Sequence, residues 1–155
     1  MAHVRVQAHP FDAGVEIAAL TQGRRDVGAV ATFVGVVRDR NEGASVGRMT
    51  LEHYPGMTEK ALLEICGQAA QRWDLIDLRV VHRVGPMEPG EPIVLVAVSS
   101  AHRGDAFAAC EFVMDFLKTR APFWKREDTP SGPRWVDARV SDDEAAARWA
   151  PPPNR

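Results

Sequence analysis

Cysteine is scarce in this chain of 155 residues, where only Cys66 and Cys110 occur. Two lone thiols without Cys-x-x-Cys spacing make neither a disulfide framework nor a zinc site. Both fall in apolar, helix-like stretches, where a buried, reduced thiol is the usual state, in keeping with a reducing compartment. No run approaches the ~20 apolar residues of a membrane span. The opening "MAHVRVQAHPFDAG" has no signal-peptide core. A soluble, cytoplasmic protein is the expectation. A basic excess is also missing: the net charge is -2, which argues against nucleic acid as the partner. Any anion site must be built locally. The chain has no GxSxG, P-loop or GxGxxG motif. Neither His53 nor His82 has a Cys, His or carboxylate at metal-ligand spacing, so neither metal nor cofactor is expected. Repeats, low-complexity blocks and linkers are lacking too.

What is present suits one globular domain, expected over residues 1–150. The hydrophobic fraction is 45% and the charged fraction 26%. Residues 151–155, within "APPPNR", are expected to form a disordered tail, because proline cannot extend the preceding helix. "HVRVQAH" alternates as a strand. Asp12 is placed to cap a short helix that Gly23 closes. "VGAVATFVGVVRD", 27–39, is apolar on both parities, which predicts a strand buried on both faces. With "RMTLEHY" it reads as a hairpin over 27–54. Residues 55–73 carry Leu62, Ile65, Ala69 and Trp73 at helical spacing, with Thr58 or its predecessors as cap. "LIDLRVVHRVG" is a strand and "PMEPGE" a turn, while "PIVLVAVSSA" is the most apolar strand and so the central one. A second long helix over 102–121 has Phe107, Cys110, Val113, Met114 and Leu117 as its buried stripe. "FWKRED" and "RWVDARV" are short strands, and Ser141-x-x-Glu144 is a capping box for a last helix. The class is α+β, with a mostly antiparallel sheet and two main helices.

Three places invite chemistry. His102 and Arg103 sit where the central strand gives way to a helix, a junction whose free N–H groups and dipole suit anions. Alternatively Arg103 pairs with Asp105 and His102 merely lines a loop. Gly35 lets backbones approach, and Arg38 follows it at a strand end, on Val36 and Val37. Finally, "FLKTRAPFWKRE", 116–127, sets Lys118, Arg120, Lys125 and Arg126 beside aromatics with no anion between Lys118 and Arg126. Lys118 and Arg120 can simply complement the helix dipole. Clustered like charges are costly, however, unless an anion relieves them. Beyond Pro122 the extended chain points Lys125 and Glu127 to one face and Arg126 to the other.

The segments "ATFVGVVRDRNEG", "MTLEHYPGMTEKAL", "VVHRVGPMEPGE", "VAVSSAHRGDAF" and "MDFLKTRAPFWKRE" occur in this order. Together they resemble the MoaE family, the large, catalytic subunits of molybdopterin synthases, from about Val27 to Trp149. The resemblance implies an α/β hammerhead fold and a homodimer at the core of a heterotetramer. It implies a transferase, a sulfurtransferase of molybdenum cofactor biosynthesis. Such enzymes turn cyclic pyranopterin monophosphate (precursor Z) into molybdopterin, building its dithiolene. The sulfur comes from a small ubiquitin-like, MoaD-like carrier whose C-terminal Gly-Gly thiocarboxylate enters a pocket of the large subunit. By the same resemblance, Lys118 and Lys125 are the catalytic lysines. Val36, Val37, Arg38, His102, Arg103, Lys118, Lys125, Arg126 and Glu127 contact the substrate, with His102 and Arg103 on its phosphate. The alternative is a non-catalytic scaffold that binds a ubiquitin-like tail or a phosphometabolite. Neither a nucleic acid nor a membrane is implied as partner.

Overall fold

The computed structural model describes residues 2–41, 43–136 and 140–150. Its first sheet has the order β1-β6-β8-β2, formed by β1 (Ala2–Gln7), β6 (Asp77–Arg83), β8 (Pro92–Ser100) and β2 (Ala29–Val36). β1 runs parallel to β6, and the other pairs are antiparallel. β8 lies inside this sheet as its apolar run demands, with Val94 to Val98 all buried. The helices α2 (Met57–Arg72) and α3 (Arg103–Arg120) cover one face, where Leu62, Ile65, Ala69, Phe112 and Val113 meet Leu78, Val80, Val96 and Val98. The short α1 (Ala13–Thr21) covers the other face through Leu20 against Val81, Leu95 and Ala97. Asp12 caps α1 as expected, its Oδ1 accepting from the Val15 N–H at 3.1 Å.

A second, wholly antiparallel sheet has the order β10-β9-β5-β7, from β10 (Gly132–Val136), β9 (Phe123–Thr129), β5 (Met49–His53) and β7 (Gly85–Met87). Its small core joins Val37, Met49, Leu51 and Met87. Between β2 and β5 lies a two-residue ladder of β3 (Arg40–Asn41) and β4 (Ala44–Ser45). The last helix, α4 (Val140–Ala147), docks on α3. Beyond it, Trp149 packs edge-on against Trp73 and Phe112 and donates its indole N–H to Asp115 at 2.7 Å.

Several expectations need correcting. Residues 27–54 do not form a hairpin: β2 joins the first sheet and β5 the second. β2 is not buried on both faces but is an edge strand, with Phe33 40%, Val34 38% and Val36 47% exposed. Phe107 leaves the buried stripe of α3 and is 65% exposed. Part of the turn "PMEPGE" is strand, since Pro86 and Met87 belong to β7. Of the cap candidates, Thr58 and the residues just before it, Gly56 takes the place ahead of α2, and its N–H donates to the Glu59 carboxylate at 2.7 Å. Ser141 lies inside α4 rather than ahead of it. The tail 151–155 falls outside the described residues. Among the described residues no helix is long and apolar enough to cross a membrane.

Candidate active site

Between the two sheets, at the C-terminal end of α3, lies a cleft of about 510 Å³. Its first wall is the end of β2. A Cβ on Gly35 would meet Val94 Cγ1 at 2.8 Å, so any larger residue would force the Val94 side chain to shift. The β2–β8 register shifts between Gly35 and Val36. Such bulges re-aim the chain beside functional sites. Val37 then turns inward and is buried, while its backbone is pinned by Glu91 O at 2.9 Å and Gly90 N at 2.8 Å. Arg38 follows as an exposed side chain on the cleft wall, with Arg40 beyond it.

The second wall is built by α3 and β9. Pro122 ends the helix, and the chain returns extended as β9. Lys118 from the last helical turn and Lys125 from β9 therefore reach the same cleft. Lys125 and Glu127 share a face as the strand alternation requires, with Nζ and Oε2 3.7 Å apart. Glu127 is only 4% exposed. Its Oε1 also accepts from Asn41 Nδ2 at 2.9 Å and from Arg134 Nη2 at 3.1 Å. The other two cations of the cluster turn elsewhere. Arg120 lies over the Phe116 ring at 4.1 Å and donates to Gln68 at 2.9 Å. Arg126 does not line the cleft.

His82, expected to be an ordinary strand histidine, forms part of the floor. It stacks on Phe123 with ring centroids 3.9 Å apart. Nδ1 lies 2.8 Å from the Arg83 carbonyl. A carbonyl only accepts, so Nδ1 carries the proton and Nε2 is left as an acceptor. Burial pushes the His82 pKa down to about 4, with the Lys118 and His53 charges adding in the same sense. The imidazole is thus neutral near neutral pH. The cleft as a whole holds four cations, Arg38, Arg40, Lys118 and Lys125, against the carboxylates of Glu127 and Asp142. That surplus of two positive charges suits a doubly charged anion such as a phosphate.

His102 and Arg103 are not in this cleft. They open α3, while Lys118 stands fifteen residues further along the same helix, about 22 Å away at 1.5 Å per residue. Both are exposed. The local alternative for Arg103 is not taken either: among the described residues Arg103 makes no ion pair with Asp105, whose Oδ2 accepts from the Asp74 N–H at 3.2 Å. Within one chain, then, Val36, Val37, Arg38, Lys118, Lys125 and Glu127 come together, and His102, Arg103 and Arg126 stand apart. Sequence reasoning missed Asn41, Arg134 and His82. Asn41 and Arg134 look like solvated loop and strand residues, and only the β10–β9 register puts Arg134 opposite Glu127. Among the described residues no group of three or more His, Cys, Asp or Glu side chains is placed to hold a metal ion.

The chain is similar to known proteins over most of its length. A family model described as "MoaE protein" matches residues 6–120. A "Molybdopterin synthase catalytic subunit" of Ralstonia nicotianae is 64% identical over 149 residues, covering 96% of this chain and 85% of that protein. A solved MoaE protein of Burkholderia ambifaria superposes with a TM-score of 0.83 at 58% identity, over 96% of this chain and 98% of that one. A solved molybdopterin synthase of Staphylococcus aureus gives 0.78 at 31% identity, over 84% and 94%.

Proposed function

The chain belongs to the MoaE family, and from that premise we propose that the cleft between its two sheets is the sulfur-transfer site of a molybdopterin synthase. The chain is then the catalytic subunit, a sulfurtransferase acting in the cytoplasm. The observation that carries this reading is the convergence on one cleft of Lys118 from α3, Lys125 from β9 and Arg38 from the loop after β2. Cyclic pyranopterin monophosphate is the substrate, and its singly charged cyclic phosphate takes up one charge of the cationic surplus. The thiocarboxylate tail of a small ubiquitin-like carrier is a second anion, drawn and oriented by the same field. Each of two transfers, one per carrier, forms a carbon–sulfur bond on the pterin side in place of a carbon–oxygen bond at the same carbon, the oxygen leaving as phosphate or as water. Water then cleaves the acyl–sulfur bond and leaves the carrier tail as a carboxylate. Opening the cyclic phosphate leaves charge on a departing oxygen, and the Lys118 ammonium supplies its proton. Lys125 orients the substrate or the tail. Val36 and Val37 shape the wall beside Arg38.

His102 and Arg103 find their place in a homodimer. β2 is the free edge of the first sheet and carries the exposed Phe33, Val34 and Val36. Its Val36 end borders the cleft, and its Ala29 end pairs with Ser100, two residues before His102. Two-fold antiparallel pairing of β2 with its copy sets the partner's Ala29 end beside this chain's Val36. The span of β2, about 23 Å at 3.3 Å per residue, matches the helical separation of Arg103 from Lys118. The partner's His102 and Arg103 thereby reach the phosphate that Arg38 holds. Arg126 acts outside the substrate contacts, on the far face of β9.

Reconstitution tests the reading. The purified chain is incubated with thiocarboxylated carrier and cyclic pyranopterin monophosphate. Expected are molybdopterin with its dithiolene and a carrier converted to the plain carboxylate. A carrier that binds yet keeps its thiocarboxylate would leave the chain a scaffold.

A further inference from the structure

We propose that Asn41 and Arg134 are positioning residues of this site, acting through the buried carboxylate of Glu127 to fix Lys125 and to tie the Arg38–Arg40 loop to β9. The proposal rests on the assignment of Lys125 to the sulfur-transfer site.

Glu127 is an anion in a cleft suited to anions. A carboxylate touching a phosphate or a thiocarboxylate would repel it. The geometry gives it another task. At 4% exposure it must be compensated within the protein. Oε1 receives Asn41 Nδ2 at 2.9 Å and Arg134 Nη2 at 3.1 Å. Oε2 is left facing Lys125 Nζ at 3.7 Å. With Oε1 held by two donors, the carboxylate plane is set, and so is the direction in which it draws the ammonium. Arg134 is well placed because it sits directly opposite Glu127 in the β10–β9 register.

The same guanidinium also reaches the loop. Arg134 Nη2 donates to the Asn41 carbonyl at 2.8 Å. One group therefore bridges a carboxylate on β9 and the backbone three residues beyond Arg38. That loop has little regular structure of its own, since β3 and β4 pair over two residues each. Gly47 N to Asp128 O at 3.0 Å and Asp128 N to Arg48 O at 2.8 Å tie the loop directly to the strand that carries Lys125, while the Arg48 side chain donates to Glu88 at 3.1 Å. Two walls of the cleft, bearing Arg38 and Lys125, are registered against each other through Glu127. A shift of about 1 Å between such walls costs on the order of a hundredfold in rate.

Arg134→Lys keeps one donor to Glu127 but loses the bridge, and Asn41→Ala removes the amide. Both are assayed in the full chain with thiocarboxylated carrier, alone and combined with Lys125→Ala. Each is expected to lower kcat/KM roughly tenfold or more and to add almost nothing to Lys125→Ala. Effects that multiply fully onto Lys125→Ala overturn the proposal. A second readout needs no turnover: the ¹³Cε–¹Hε NMR correlation of Lys125 in the free, folded chain. It is expected to move in both variants, and an unmoved signal overturns the proposal even if activity falls. If the signal moves while Lys125→Ala alone keeps full turnover, the assignment of Lys125 to the site fails and its positioning by Asn41 and Arg134 stands.

Discussion

Replacing His82 with phenylalanine tests the electrostatics of the cleft through stability. The imidazole is buried, stacked on Phe123 and held neutral with a pKa near 4 rather than 6.5. In the unfolded chain it takes up a proton near its ordinary value. Between the two values the unfolded state binds the extra proton, so stability is lost as pH falls from about 6.5 towards 4. The drop from 6.5 to about 4 corresponds to about 3 kcal/mol in full, most of which is gone by pH 4.5. That is a large share of a typical 5–15 kcal/mol. His82→Phe keeps an aromatic ring against Phe123 but cannot titrate. Its lost hydrogen bond to the Arg83 carbonyl is a constant offset, independent of pH. Urea unfolding of both proteins at pH 7, 6, 5 and 4.5 measures the difference directly. Expected is a wild type that loses about 2–3 kcal/mol more than the variant over that range. Parallel curves would refute a neutral, desolvated His82.

Other substitutions probe other parts of the structure. Phe112, 1% exposed and set among Trp73, Phe116 and Trp149, should cost about 3–5 kcal/mol when cut to alanine, read by chemical denaturation. Val34→Lys places a charge on the free edge of β2 and is expected to halve the native mass in light scattering. Cys66 and Cys110 are pushed up by burial to about 12 and about 11, so neither supplies a thiolate at neutral pH. Cys66→Ser and Cys110→Ser should therefore retain turnover per folded molecule in the reconstituted assay.

The helices and the central strand were legible because they depend on local pattern. The apolar spacing of Leu62, Ile65 and Ala69 and the unbroken run from Val94 to Val98 appear as buried residues in the structure. The alternation that put Lys125 and Glu127 on one face was local too. β2 misled because an apolar edge strand has the composition of a strand buried on both faces. Its partners are set by register with β8, more than fifty residues away. The cation cluster was only half legible. Sequence showed four positive residues, but whether each entered the cleft depended on helix phase and on aromatic neighbours, as Arg120 over Phe116 illustrates. His102 and Arg103 looked like companions of Lys118, yet the length of α3 keeps them at its opposite end within one chain. Asn41 and Arg134 carry no signal in sequence, since their role exists only through Glu127.

The most direct measurement is a single-turnover reaction with thiocarboxylated carrier and cyclic pyranopterin monophosphate, comparing the wild type with Lys118→Ala. Lys118 is exposed at the end of α3, so the variant should fold and bind carrier as the wild type does. Expected is a loss of product formation of at least a hundredfold, of the order for removal of a general acid, with carrier affinity retained. Dithiolene formation at the wild-type rate in Lys118→Ala would contradict the assignment of this cleft as the site of sulfur transfer.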